Sequence, residues 1–267
     1  DYGNPSSRTR TLVIGVRKDL KEITPLDVFP DRQPERTLRQ VIGHLPTLTV
    51  MGESAKDDIY HNFKSYSPEM VNWIADLKEG ESAFDNTDPQ RIPHRVKNGV
   101  VVFNARKNGD KYTRQYWDKV APCIHTRNDI LASQNTVHPS DNRVFSIREV
   151  MLMMSVPDSF QWSERPLEEL NKLDSKGRKA FLKKEEMNIR QNLGEAVPTV
   201  IFRQIAKKVR QVLARNESSD SEIESMIRKY NLASPEDMVN FISSRKALGF
   251  PFLSKVAELA NANREDN

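Results

Sequence analysis

The chain carries a single cysteine, Cys123, among 267 residues. That rules out an intrachain disulfide framework and fits a reducing cytosol. No apolar run approaches the roughly 18 residues that a membrane-spanning helix needs, and no secretory leader or lipidation signal is legible, so a cytoplasmic chain without a membrane partner is expected. A Gly-rich phosphate loop is missing as well. The histidines His44, His61, His94, His125 and His138 show no metal spacing and have no cysteine partners, so surface or capping roles are expected of them and no metal. The sequence lacks an initiator methionine, which suggests a trimmed chain or an internal piece.

What is present is polar and slightly basic. Forty-one Lys and Arg against 37 Asp and Glu give a net charge of +4 and a pI near 9.0, a bias that suits nucleic acid without demanding it. Hydrophobic residues make up 37% and the mean hydropathy is -0.66. A wide solvated surface or a large ligand fits this composition better than a compact, greasy enzyme does. The length allows one large domain or two modest ones.

Thr11–Val16 is a short β-branched run bounded by charge and reads as a strand buried on both faces, with most of its sheet outside this sequence. Pro25, Pro30 and Pro34 break the chain before a short helical stretch over Thr37–Ile42. Ser67-Pro68 starts a helix with Met70, Val71, Ile74 and Leu77 on one face, ended by Gly80. Asn98-Gly99 signals a tight hairpin inside Arg95–Phe103, and Asn108-Gly109 repeats the signal before Tyr112–Trp117, so residues 95–131 are expected to form a small, basic sheet. The segment Pro166–Arg190 is charged and helical, and reads as a solvated connector. Val200, Ile201, Ile205, Val209, Val212 and Leu213 recur at helical spacing opposite Arg203, Lys207, Lys208 and Arg210, as in an amphipathic helix that packs on a core. Glu217–Ser221 reads as a linker, and Ser234-Pro235 opens another capped helix.

Three blocks stand out: Ser6–Arg10, which holds two arginines in Arg-x-Arg; Arg143–Val150 followed by Val156–Phe160; and Leu193-Gly194-Glu195-Ala196-Val197-Pro198. In this order they resemble the end of a bacterial DNA cytosine-5 methyltransferase. The resemblance covers about residues 1–46 and 95–213. It implies a mixed α/β and α+β architecture: the C-terminal remnant of a Rossmann-like methyltransferase domain, a small β-rich target-recognition domain and a helical extension. The implied boundaries are 1–46 for the end of the catalytic sheet and connector, 47–140 for target recognition, 141–165 for the domain junction, 166–215 for a charged connector and cofactor-side helix, and 216–267 for the extension. What precedes these blocks in the family is not in this chain, so a fragment or partner subunit is expected, completed by an N-terminal methyltransferase half in the same polypeptide or a separate one.

Methylation at carbon 5 of cytosine requires the base to leave the stack, because a buried ring edge cannot meet a nucleophile and a methyl donor together. The resemblance implies that a cysteine thiolate adds to carbon 6 while an arginine grips the ring carbonyl. Arg10 takes that arginine's place, with Arg8 beside it, and a fixed guanidinium there stabilises developing charge. The plainer alternative is that both merely pair with acidic neighbours. Ser6 stands where the family usually has Gln. Gly194, Glu195, Ala196 and Val197 fall where the family closes its S-adenosylmethionine pocket, with Gly194 allowing close backbone approach and Glu195 replacing the commoner Asn. A helix-opening turn without ligand is the alternative.

Arg148 and Glu149 resemble the junction pair between catalytic and recognition domains. Adjacent on a helix, they cannot face each other, so each needs its own partner. Met151–Met154 reads as core filling. For double-stranded DNA the resemblance points to the recognition loops, with Arg106, Lys107, Lys111, Tyr112, Arg114, His125, Arg127 and Asn128 as candidates for phosphate or base-edge contacts; ordinary surface charge is the alternative for each. Pro122-Cys123 imitates a catalytic Pro-Cys pair but follows the Arg-x-Arg block, so Cys123 is expected to be a loop residue. The implied setting is a bacterial restriction-modification system. The rival readings are a reader that has kept the fold and lost catalysis, and a protein-interaction subunit.

Overall fold

The computed structural model describes residues 2–16, 23–106 and 110–230, with side chains along the last helix up to Ala214. The described residues fall into two compact units, one within Asp1–Val13 and Pro30–Gln204, the other within Ile14–Phe29 and Ile205–Asn267. The architecture is helical with two small antiparallel sheets. No helix among the described residues is long and apolar enough to cross a membrane.

Helix α1 (Leu38–Ile42) starts at Thr37, which forms a capping box with Gln40; its Leu38, Val41 and Ile42 are buried. Strands β1 (Ser54–Ala55) and β2 (Asp58–Asn62) pair antiparallel, and β2 is buried from Ile59 onward. Helix α2 (Pro68–Ile74) begins at Ser67 with Pro68 in its first turn, as its residues predict. Its deepest aromatic is Trp73, and the chain turns at Gly80, whose φ of +85° suits glycine and whose missing side chain makes room for the Tyr116 ring.

Asn98 and Gly99, both at positive φ, form the predicted tight turn between β3 (His94–Lys97) and β4 (Val100–Phe103). The wider sheet expected over 95–131 does not form. Residues 111–114 make only isolated bridges, to Ser82, Gln134 and Val137, because buried Tyr112 and Arg114 serve the interior instead of a regular ladder. Asn108-Gly109 lies outside the described residues.

Helix α3 (Ile147–Met153) is capped by Ser146 with Glu149 at its third position; α4 (Leu167–Asn171) and α5 (Ser175–Glu195) follow. The methionines Met151, Met153 and Met154 are fully buried. They join α1, β2, Ala121, Ile124 and the α5 residues Leu182, Ile189 and Leu193 in the larger hydrophobic cluster. A smaller cluster gathers Trp73, Ile74, Tyr112, Leu131, Val137 and Val144. Helix α5 is therefore more than a solvated connector: its charged residues hide an apolar face that completes the core.

Two further expectations change. Thr11–Val16 forms no strand, and Val13 is 87% exposed; a doubly buried strand needs neighbours and cover, and the described residues supply neither. Helix α6 (Thr199–Tyr230) runs straight through the expected linker Glu217–Ser221, and along it Phe202, Val209 and Leu213 stay substantially exposed. Ser234-Pro235 lies outside the described residues.

Candidate functional site

The N-terminal segment is laid alongside the loop around Ala121. Ser7 N donates to Ala121 O and Ala121 N donates to Pro5 O, at 2.8 and 2.9 Å, so residues 5–7 run parallel to that loop. Ser6 is buried beneath Asn4 and Met154. This pairing delivers Arg8 to the C-terminal end of α5. There its Nη2 donates to Gly194 O at 2.9 Å and Glu195 O at 3.4 Å, while Nη1 donates to Ile124 O at 3.1 Å. The last carbonyls of a helix lack intrahelical donors and carry the negative end of its dipole, so a guanidinium suits them. Partial burial, then the nearby Arg10 charge, lower the Arg8 pKa from its ordinary value. Its Nε is buried and has no hydrogen-bond partner among the described residues.

Gly194 is held from the other side. A Cβ on it would lie 2.5 Å from both Cα and N of Thr126 and 2.6 Å from C of His125, so α5 can meet this loop only with glycine at that position. The close approach that the sequence suggested for a cofactor is taken up by the protein's own backbone. Asn128 fastens the same seam: its amide donates to His125 O at 2.7 Å and Arg190 O at 3.0 Å. Arg190, fully buried, donates back to Asn128 Oδ1 and to Phe145 O, and is paired with Glu186 one turn earlier. Sequence reasoning missed Arg190. The Glu186–Arg190 spacing beside apolar Ile189 and Leu193 was the signal that could have found it.

Three distant stretches thus meet: 5–8, 121–128 and 190–195. Within one or two residues of the contacting atoms stand the exposed side chains of Arg10, His125, Thr126, Arg127, Glu195 and Val197. Arg10 donates to its neighbour Thr9 O at 2.6 Å. Arg127 forks onto the buried carboxylate Asp129, which also receives Lys64. Burial alone would raise the Asp129 pKa, but the hydrogen bonds from Arg127 and Lys64 outweigh it and hold the group at about 2. Cys123 is half-buried in the same loop, its thiol directed at Ile124 O.

The remaining recognition candidates separate. Arg106 is exposed and paired with Asp85, Lys111 is half-buried, and Lys107 lies outside the described residues. Tyr112, Arg114 and Asn128 are interior and have no face for a base. Tyr112 sits edge-on between Trp73 and Phe84. Arg114 is spent on His138 O, Asp141 O, Ile74 O and the Asn142 side chain, which ties together loops that have no ladder to hold them.

Arg148 and Glu149 point to different partners. Arg148 reaches Asp58 and Asp158 and lies over the Tyr60 ring. Glu149 takes two hydrogen bonds from Arg143, at 2.8 and 2.9 Å, and one from Ser146 N at 2.7 Å. Burial alone would raise the Glu149 pKa; the Arg143 charge and hydrogen bonds reverse this to about 2. His138, enclosed by the same cluster and by Trp117 and Phe145, has its pKa lowered mainly by burial. His61 is likewise interior, bridging Ser146 Oγ and Pro46 O.

Comparison with known proteins adds the chemical context. The family described as C-5 cytosine-specific DNA methylase matches residues 1–211. Among similar curated proteins, the Type II methyltransferase M1.HgaI of Avibacterium volantium is 27% identical over 227 residues, 78% of this chain and 52% of its own length. The Type II methylase M.HgiDII of Herpetosiphon aurantiacus is 27% identical over 80% of this chain and 53% of its own length. The Type II methyltransferase M1.HphI of Haemophilus parahaemolyticus is 28% identical over 78% and 45%. The chain spans about half the length of the curated relatives it matches.

Proposed function

Because the chain belongs to the C-5 cytosine-specific DNA methylase family, we propose that it is the DNA-recognition and C-terminal half of a DNA (cytosine-5)-methyltransferase of a restriction-modification system. The complete enzyme transfers a methyl group from S-adenosylmethionine to carbon 5 of a flipped cytosine in a specific duplex site. A companion half, in the same polypeptide or a separate one, supplies the nucleophilic cysteine and the Gly-rich cofactor strand. The observation that carries this reading is the Arg8 clasp, which gathers the first and last family blocks around the loop at residues 121–126. The exposure of Leu12 and Val13 in one unit and of Leu26, Val209 and Leu213 in the other supports apolar surface left for that companion. The proposed divisions are those the resemblance implies, with target recognition at 47–140 and the junction at 141–165.

In this reading Arg10 grips the ring carbonyl of the flipped base and stabilises the charge that builds on it during thiolate addition. Arg8 holds Arg10 in place from two residues away. Arg148 and Glu149 hold the junction. His125 and Arg127, with Arg106, Lys107 and Lys111, meet the DNA backbone or base edges. Glu195, Ala196 and Val197 would hold the cofactor: Glu195 and Val197 are exposed and Ala196 half-buried, and a carboxylate at Glu195 suits the ammonium of the cofactor's amino-acid end. S-adenosylmethionine, when bound, supplies the methyl group.

The test mixes this chain with a companion half and follows labelled methyl transfer to duplex DNA. Transfer that disappears with Arg10→Ala while duplex binding persists supports the assignment. If the mixture stays inactive while this chain alone binds DNA sequence-specifically, a non-catalytic reader replaces it.

A further inference from the structure

The β3–β4 hairpin stands apart from the clasp and carries features that methyl transfer leaves unused. Val96 and Val100 are each 63% exposed, and Val101 and Phe103 about half. In its register Val96 lies across from Val101 and His94 from Phe103 on one face, while Arg95 with Val102 and Lys97 with Val100 occupy the other. The base of the first face is anchored, since His94 packs on Trp73 at 5.6 Å and pairs with Glu69. The distal part has no cover among the described residues, and a lone two-stranded ribbon that exposes valines gains little from water.

Charge says what kind of surface would cover it. From Pro89 to Gly109 there is no Asp or Glu, whereas Arg91, Arg95, Lys97, Arg106 and Lys107 fall in that stretch. Arg91 and Arg106 are paired with Asp76 and Asp85 from neighbouring elements, so it is Arg95 and Lys97, exposed on the ribbon itself, that make this stretch a complement to a polyanion. A two-stranded ribbon also has the width that the major groove of B-DNA admits.

We propose that the β3–β4 ribbon enters a groove of the target duplex, with Arg95 and Lys97 reaching phosphates at its rim and the exposed valines Val96 and Val101, on the opposite face, against base edges and thymine methyls. This rests on the reading that the chain binds duplex DNA, and it adds a recognition element to the loops around Arg127. The Asn98-Gly99 turn makes the tip narrow, and His94 anchors the base against Trp73 and Glu69.

The experiment measures binding of the full chain, with its companion half where present, to fluorescent duplexes of random and of preferred sequence across a salt series. The double variant Arg95→Ala/Lys97→Ala should bind all duplexes more weakly, with the log–log salt slope reduced by about 2, one for each phosphate that is no longer neutralised. The variant Val96→Ser/Val101→Ser should keep the slope and narrow the preference between the two duplexes by roughly tenfold, within the span of a base contact. All four positions are exposed, and unchanged melting of each variant certifies the fold. An unchanged slope and unchanged preference, with normal wild-type binding, overturn the ribbon proposal and leave the methyltransferase reading standing. Variants that bind DNA normally but lose the companion half overturn it too, by making the ribbon a protein contact. Wild-type protein that binds no duplex removes both.

Discussion

Arg8 and Arg10 sit two residues apart and do different work. Arg8 hydrogen-bonds three carbonyls from two other stretches of chain, and Arg10 is exposed, bonded among the described residues only to its neighbour Thr9. Replacing Arg8 by Ala should therefore destabilise the fold by about 2 kcal/mol, the worth of hydrogen bonds to a charged group, read as a lower urea midpoint. Arg8→Lys should recover only part of this, since an ammonium cannot fork across separate carbonyls. Arg10→Ala should leave the midpoint within about 0.5 kcal/mol, as exposed substitutions do. Equal midpoints for both alanine variants would show that the clasp does not hold in solution. Gly194→Ala tests the seam: a methyl placed 2.5 Å from backbone atoms must push α5 off the loop, at roughly 2 to 3 kcal/mol. A Gly194→Ala chain as stable as the parent would count against this packing.

At the level of elements, the short α3 is built as a junction. Its N-terminus carries a reciprocal cap between Ser146 and Glu149, and Glu149 spends its remaining capacity on Arg143. Glu149→Gln should cost about 2 kcal/mol, because it removes one of the two carboxylates that face buried Arg143 and leaves only Asp141 to balance it; denaturation followed by circular dichroism reads it, and a loss below about 1 kcal/mol would argue that water reaches this pair. The helix starts at Ser67-Pro68 and Ser146 and the turn at Asn98-Gly99 were legible because each is a local hydrogen-bonding or φ requirement. Thr11–Val16 forms no strand among the described residues, because β-branched content marks only a segment that can pair, and the neighbours it was expected to pair with lie outside this sequence. Tyr112 and Arg114 were misread as surface contacts for a related reason: a cation or phenol is drawn inward when carbonyls or rings wait for it. The carbonyls that receive Arg114 lie 24 to 40 residues away along the chain, and they come within reach only once the loops have folded.

For the molecule as a whole, the buried charges set a common direction with pH. Asp129 and Glu149 have folded pKa values of about 2, below the ordinary range of carboxylates, so the folded state binds fewer protons than the unfolded chain and their contribution is full above the unfolded values and fades as pH falls toward 2. His138, also lowered, resists protonation in the fold and adds a loss that begins as pH falls through the ordinary histidine range. Stability should thus decline steadily from near neutral to acid pH, with no gain on the way; a urea midpoint that rises between about pH 6 and 4 would contradict the cluster around Arg143.

Capping residues, the tight turn, the helical period of Val200–Leu213 and the order of three family blocks could all be read along the chain, because each depends on residues a few positions apart or on a motif that stays contiguous. The meeting of Arg8 with Ile124 and Gly194, the enclosure of Arg143 and Arg190 and the projection of the β3–β4 ribbon could not. They depend on which orphan carbonyls, carboxylates and apolar faces come within a few ångströms once the chain has closed over sequence separations of 116 and 186 residues, and no local propensity encodes that choice.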